Sequence, residues 1–150
     1  MTQKLNIGTQ APNLNTNDQN GNLRTLSEFA GKKLVLYFYP KDDTPGCTAE
    51  ACDLRDNYAS FLAKGYHILG VSPDNEAKHQ KFIAKYELPF DLLADESHDL
   101  ATAYGVWVEK SMYGKTYMGI ARTTFVIDEK GHIEQMIEKV NTKAHAAQII

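Results

Sequence analysis

Residues 33–47 read Lys33-Leu34-Val35-Leu36-Tyr37-Phe38-Tyr39-Pro40-Lys41-Asp42-Asp43-Thr44-Pro45-Gly46-Cys47, and the architecture follows from this run. From Lys33 to Tyr39 the residues are almost continuously apolar or aromatic, the pattern of a central strand covered on both faces. Pro40 ends it. Lys41 to Gly46 forms a loop, and Cys47 to Lys64 reads as a helix, with Ala51, Leu54, Tyr58, Phe61 and Leu62 at helical spacing and Gly65 closing it. His67 to Val71 is a second buried strand. Ser72-Pro73-Asp74 then leads into a helix running through Tyr86, with Pro73 or Asp74 suited to its first turn.

The order strand, helix, strand, helix implies a parallel core. Toward the amino end, Asn17-Asp18-Gln19-Asn20-Gly21-Asn22 carries turn chemistry and joins two short strands near Leu14 and Leu23, after which Ser27 caps a brief helical turn. Toward the carboxyl end come a short strand near Leu92-Leu93, a helix from Ser97 to Tyr104, and a strand from Thr123 to Ile127. Asp128-Glu129-Lys130-Gly131 is a hairpin turn, so His132 to Glu138 pairs antiparallel to that strand. A last helix begins near Thr142. Tyr113, Tyr117 and Met118 lie in a Gly-containing loop read as a lid or as packing. The sum is an α/β protein with a thioredoxin-like fold, a central mixed β-sheet flanked by helices and an N-terminal hairpin. No repeat or linker divides residues 1–150, so one domain is expected.

Composition narrows the function. With 43% hydrophobic and 23% charged residues and a net charge of −3, the chain has the profile of an ordinary globular protein and no basic face for a run of phosphates, so nucleic acid is not an expected partner. Met1 to Ile7 lacks the pattern of a secretory signal, and the apolar run Leu34 to Tyr39 is too short to span a bilayer. A cytoplasmic location, with no membrane partner, is expected. The two cysteines, Cys47 and Cys52, do not make the disulfide framework of a small secreted domain. The five histidines, His67, His79, His98, His132 and His145, lack zinc-ligand spacing and read as surface or structural residues, so no metal and no cofactor are expected.

That leaves the cysteines. In sheets of this kind, loops leaving the carboxyl ends of strands hold the site, and Cys47 lies beyond such an end. A thiol at the start of a helix meets the partial positive charge of unpaired backbone amides, which favours thiolate. Ionisation alone is not enough: a thiolate fraction raised about thirty-fold is worth only about 2 kcal/mol. Fast chemistry also needs donors fixed around the sulfur to stabilise a departing oxygen. Thr44 offers a hydroxyl and its loop offers successive amides. A guanidinium, planar and always charged, is the best further donor, and Arg122, beside a predicted strand, is the candidate, since Arg24 falls in the early hairpin and Arg55 two turns along the helix.

The segment Pro40-Lys41-Asp42-Asp43-Thr44-Pro45-Gly46-Cys47 resembles the active-site motif of peroxiredoxins, and its continuation Thr48-Ala49-Glu50-Ala51-Cys52 is similar to the bacterioferritin-comigratory, or Q-type, subgroup. The similarity extends from Gly8-Thr9-Gln10-Ala11-Pro12 to the carboxyl end. It implies a thiol-dependent peroxidase that reduces hydrogen peroxide and organic hydroperoxides through a sulfenic acid on Cys47. Cys52 resolves that acid as an intrachain disulfide, and thioredoxin or a similar dithiol recycles it. It further implies that Pro40 shields the site, Thr44 bonds peroxide and thiolate, Arg122 in Ala-Arg-Thr-Thr-Phe-Val-Ile-Asp supplies the guanidinium, and Glu50 orients it.

Helix spacing adds a mechanical demand. Residues five apart on a helix are about 8 to 9 Å apart at Cα, beyond the roughly 7 Å limit for a disulfide, so the first turns must unwind before Cys52 reaches Cys47. An intrachain disulfide removes any chemical need for a dimer, and a monomer is expected. Other readings stay open at this level. Cys47 and Cys52 are compatible with buried small hydrophobes, Thr44 and Pro45 with a turn and helix start, Glu50 with a first-turn carboxylate and Arg122 with a solvated charge. Among functions, a dithiol oxidoreductase of thioredoxin type has two residues between its cysteines, whereas here there are four. A cysteine hydrolase needs a histidine base. A redox-sensing or chaperone-like module differs in lacking turnover.

Overall fold

The computed structural model describes residues 5–150. The reading of Met1 to Ile7 as free of a secretory signal begins on residues 1–4, which lie outside the described residues. Every side chain from Leu34 to Phe38 in strand β3 (Lys33–Phe38) is fully buried, as a strand covered on both faces requires. On one side Leu34, Leu36 and Phe38 join a cluster with Tyr104, Val106, Phe125 and Ile133. On the other, Val35, Tyr37 and Tyr39 pack with Cys47, Ala51, Leu54, Phe61 and Phe82.

β3 runs parallel to β4 (Tyr66–Ser72), which runs parallel to β5 (Asp91–Ala94). Its other edge pairs antiparallel with β8 (Thr123–Ile127), and β8 with β9 (Ile133–Ile137). The five-stranded order β5-β4-β3-β8-β9 is the mixed sheet expected. At its amino end β1 (Thr16–Asn17) and β2 (Leu23–Arg24) form the anticipated hairpin, its turn held by Asp18 Oδ1, which accepts from the N–H groups of Asn20 and Asn22. A 3-10 helix over Leu26–Phe29 follows, with Thr25 rather than Ser27 as its cap and Glu28 Oε2 accepting from Thr25 N at 2.7 Å.

The helix expected from Cys47 to Lys64 is two helices, α1 (Pro45–Asp56) and α2 (Tyr58–Ala63). Asn57 divides them because its Nδ2 donates to Asp53 O at 2.8 Å, and a short amide side chain competes with the helical ladder for such a carbonyl. In the helix after β4, α3 (Glu76–Tyr86), the cap is Asn75, which accepts from Lys78 N. Pro73 and Asp74 precede the helix, and Asp74 is turned inward. α4 (Asp99–Ala103) and α5 (His145–Ile149) are shorter than their patterns suggest.

The segment with Tyr113, Tyr117 and Met118 is a hairpin, not a loop. β6 (Trp107–Met112) and β7 (Lys115–Ile120) pair in full register. Tyr113 and Gly114 both have positive φ, 53° and 77°, the backbone of a two-residue turn that follows strand twist. Tyr113 in place of Asn or Asp hides the turn signal, and strands this exposed carry no alternating apolar pattern. Among the described residues no helix is long and apolar enough to cross a membrane.

Candidate active site

The loop from β3 into α1 places the site. Thr44 takes extended backbone at the N-cap of α1, Pro45 and Gly46 follow it into the first turn, and Cys47 is the third helical residue. The N–H groups of Gly46 and Cys47 therefore have no carbonyl one turn back to bond, and their partial positive charge gathers where the sulfur lies. Cys47 is 1% exposed, while Cys52, farther along the same helix, is half-buried; both are free thiols. The two cysteines thus sit in one unbroken helix, the arrangement whose spacing forbids a disulfide until that helix opens.

Arg122, at the mouth of β8, reaches this turn. Its Nη2 donates to Cys47 Sγ at 3.2 Å and its Nη1 to Glu50 Oε1 at 2.6 Å. One planar fork thereby joins a carboxylate to a sulfur three residues away on α1, a geometry that a flexible ammonium cannot reproduce. Gly46 makes room for it, since a Cβ there would stand 3.3 Å from Arg122 Nη2. Burial works against the Arg122 charge, and the adjoining sulfur and Glu50 more than offset it, so the guanidinium is held still more firmly protonated.

Glu50 is fully buried. Burial lifts its carboxyl from 4.5 to about 7 against the opposing charge and hydrogen bond of Arg122. The short contact to Arg122 by itself suggests a permanently ionised carboxylate. Desolvation wins because only Oε1 is bonded. Oε2 lies 3.5 Å from His145 Nε2 and has no hydrogen-bond partner among the described residues. His145 is itself buried, with Nε2 facing the Thr124 hydroxyl at 2.7 Å and Nδ1 facing Gln148 Oε1 at 2.7 Å, and burial lowers its pKa.

Of the residues singled out in the sequence, Cys47, Arg122 and Glu50 are in direct contact and Thr44 and Cys52 belong to the same helix. The Thr44 hydroxyl donates to Lys41 O at 3.0 Å, leaving its lone pairs free to accept. Pro40 is exposed at the end of β3. What sequence reading missed is the interior beneath the loop. His79 on α3 is completely buried, with Nδ1 2.6 Å from Asp42 Oδ2 and Nε2 2.8 Å from Leu93 O. Asp74 accepts from Asp42 N at 2.7 Å. Among the described residues, Asp42, Asp74 and His79 are the group whose ligand atoms converge, within 4.8 Å of one another. Each of these side chains is already engaged by a protein partner, so the cluster ties elements together rather than presenting free ligands. No local pattern marks it, because Asp42 and His79 are far apart in sequence.

The chain is similar to known proteins over nearly its whole length. The pattern of the AhpC/TSA family matches residues 7–136. Peroxiredoxin Bcp of Bacillus subtilis is 49% identical over 146 residues, covering 97% of this chain and 93% of the relative. Peroxiredoxin Bcp of Escherichia coli K12 is 44% identical over 141 residues, covering 94% and 90%. Among solved structures, Xanthomonas campestris peroxiredoxin Q superposes with a TM-score of 0.85 at 41% identity, over 89% of this chain and 85% of that one. The Xanthomonas campestris bacterioferritin comigratory protein, studied for its alkyl peroxide reduction activity, gives 0.85 at 40% over the same shares.

Proposed function

We propose, for a chain that belongs to the AhpC/TSA family and is a thiol peroxidase of the peroxiredoxin kind, that Cys47 is the thiol that meets peroxide and Cys52 the thiol that resolves the product. The observation that carries this assignment is the Arg122 fork, one nitrogen on Cys47 Sγ and the other on Glu50. A sulfur at a helix start, with a guanidinium donating to it, lies where negative charge is favourably placed and faces a donor able to receive displaced oxygen.

The thiolate attacks the nearer peroxide oxygen, the O–O bond breaks, and the departing oxygen leaves as alkoxide or hydroxide, which takes up a proton to give alcohol or water. Arg122 and the amides of the first turn stabilise that oxygen, and the Thr44 hydroxyl, whose proton is committed to Lys41 O, accepts a hydrogen bond from the incoming peroxide. Glu50 fixes the guanidinium plane. Pro40 walls the loop on its outer side. Cys47 is left as sulfenic acid.

The second step requires α1 to open. Once its first turns unwind, Cys52 gives up its thiol proton and attacks the sulfenic sulfur, the S–O bond breaks, and the displaced hydroxide takes up a proton to leave as water as the disulfide forms. A dithiol reductant, which we take to be thioredoxin, then restores both thiols. While α1 stays wound, a second peroxide competes to give sulfinic acid. The substrates proposed are hydrogen peroxide and organic hydroperoxides. The unit proposed is one domain acting as a monomer in the cytoplasm, without metal, cofactor, nucleic acid or membrane; an intrachain disulfide needs no second copy, and the net charge of −3 is dispersed.

Steady-state peroxide consumption by wild type, Cys47→Ser and Cys52→Ser with excess dithiol tests the assignment. Cys47→Ser loses turnover and wild type continues until reductant is exhausted. Consumption that stops near one peroxide per chain in wild type would mark a sensor, and turnover surviving Cys47→Ser would place the chemistry elsewhere.

A further inference from the structure

The loop that carries Thr44 is anchored from below by buried polar groups with no part in the steps above. Asp42 is bonded through both carboxylate oxygens, Oδ1 accepting from Tyr39 Oη at 2.5 Å and Oδ2 facing His79 Nδ1 at 2.6 Å. Its backbone N–H donates to Asp74 Oδ2 at 2.7 Å, and that same oxygen accepts from the Ser72 hydroxyl at 2.7 Å. The end of β3, the end of β4 and helix α3 all converge on this one loop residue.

The Asp42 N–H held by Asp74 and the Lys41 carbonyl that accepts from Thr44 Oγ1 are the two ends of a single planar peptide unit, so turning one turns the other. The setting of the Thr44 hydroxyl, at the cap of the helix, therefore passes through the plane between Lys41 and Asp42 to groups far along the chain. His79 closes the far side. A carbonyl oxygen only accepts, so the contact with Leu93 O places a proton on Nε2, and the contact with the Asp42 carboxyl holds another proton between Nδ1 and Oδ2. Asp43, next along, is in the left-handed region at φ 58° and is tied by Lys85 and Tyr86. Without such ties a strained turn has no reason to keep this shape.

We propose that His79, Asp42 and Asp74 are positioning residues of the peroxide step: together they hold the Lys41–Asp42 peptide plane and, through its carbonyl, aim the lone pairs of Thr44 at the incoming peroxide. This rests on the reading of Cys47 and Thr44 given above. The tether meets α1 only at its cap, Thr44. Releasing it impairs peroxide capture and does not hinder the unwinding that lets Cys52 attack.

Two substitutions at one position separate positioning from simple structural support. In His79→Gln the amide nitrogen occupies the place of Nε2, keeping the bond to Leu93 O and releasing Asp42. In His79→Asn it occupies the place of Nδ1, keeping Asp42 and releasing Leu93. Competition for hydrogen peroxide against a heme peroxidase gives the second-order rate on each folded variant, and rapid-quench alkylation of the remaining thiols gives the first-order rate of disulfide closure. His79→Gln is expected to lose about tenfold or more in the first rate with closure unchanged or faster, and His79→Asn to recover most of that loss. Equal peroxide rates in the two variants, the reverse order, or a parallel fall in both steps overturns the proposal. Should either variant fail to fold, the same readout passes to Asp42→Ala, which releases the His79 and Tyr39 arms of the tether and leaves only the backbone bond to Asp74. Asp42→Asn retains both arms, accepting from Tyr39 and donating to Nδ1, and is expected to recover the rate. Thr44→Val is the control for the underlying reading. If it leaves peroxide capture intact, Thr44 has no such role whatever the His79 pair does.

Discussion

Replacing Glu50 with glutamine changes one atom and removes a charge that the interior tolerates poorly. Burial raises the Glu50 carboxyl from 4.5 to about 7 against the pull of Arg122. A folded state that binds a proton more tightly than the unfolded state is favoured below the unfolded pKa and loses that advantage as pH rises through the folded one. The loss therefore runs from about pH 4.5 to about pH 7 and then levels off. Integrated between about pH 5 and about pH 8, it amounts to about 2–3 kcal/mol. In Glu50→Gln the side-chain amide would still accept from Arg122 through its oxygen and would turn its NH2 toward His145, where Oε2 now lies 3.5 Å from Nε2. Any constant cost of the substitution cancels when only its pH dependence is compared. Urea unfolding of wild type and Glu50→Gln at the two pH values should show the wild type losing about 2–3 kcal/mol more than the variant on going to the higher one. Parallel stabilities would refute the reasoning, because they would mean that Arg122 keeps this carboxyl in the ordinary range despite its burial.

Cys52→Ser should reduce one peroxide per chain at the wild-type rate and then stall, since no second thiol closes the disulfide; disulfide-linked cycling with thioredoxin in this variant would remove Cys52 from its role. Arg122→Lys keeps the charge but cannot bond Glu50 Oε1 and Cys47 Sγ at once, so kcat/KM for peroxide should fall about a hundredfold. An unchanged kcat/KM would return Arg122 to a solvated charge. Gly70→Ala in β4 would set a Cβ 2.7 Å from Leu92 Cδ2 and 2.8 Å from Tyr37 Cζ. It should cost about 1–3 kcal/mol of stability by urea unfolding, and a wild-type midpoint would show slack between β3 and β4.

Much of this molecule is written in near neighbours along the chain. The unbroken apolar run from Leu34 to Tyr39 already required a strand covered on both faces, the turn at Asp128 to Gly131 required the antiparallel return of β9, and the Thr44-Pro45-Gly46-Cys47 order required a thiol at a helix start. Each depends on side-chain periodicity or turn chemistry within a few residues, which any sequence displays. The need for α1 to unwind is of the same kind, since it follows from spacing on a helix. The hairpin of β6 and β7 escaped because its strands are exposed and its turn begins with Tyr113, and the break at Asn57 because a single side-chain bond to Asp53 O makes it. Only the folded chain could decide that Arg122 bridges Cys47 and Glu50, that Glu50 is buried deeply enough to hold its proton near neutrality, and that His79 lies beneath the active-site loop. Those facts depend on distance and desolvation between residues brought together by sheet order, and the energy of a charge is set by what surrounds it in space, which no stretch of sequence carries by itself.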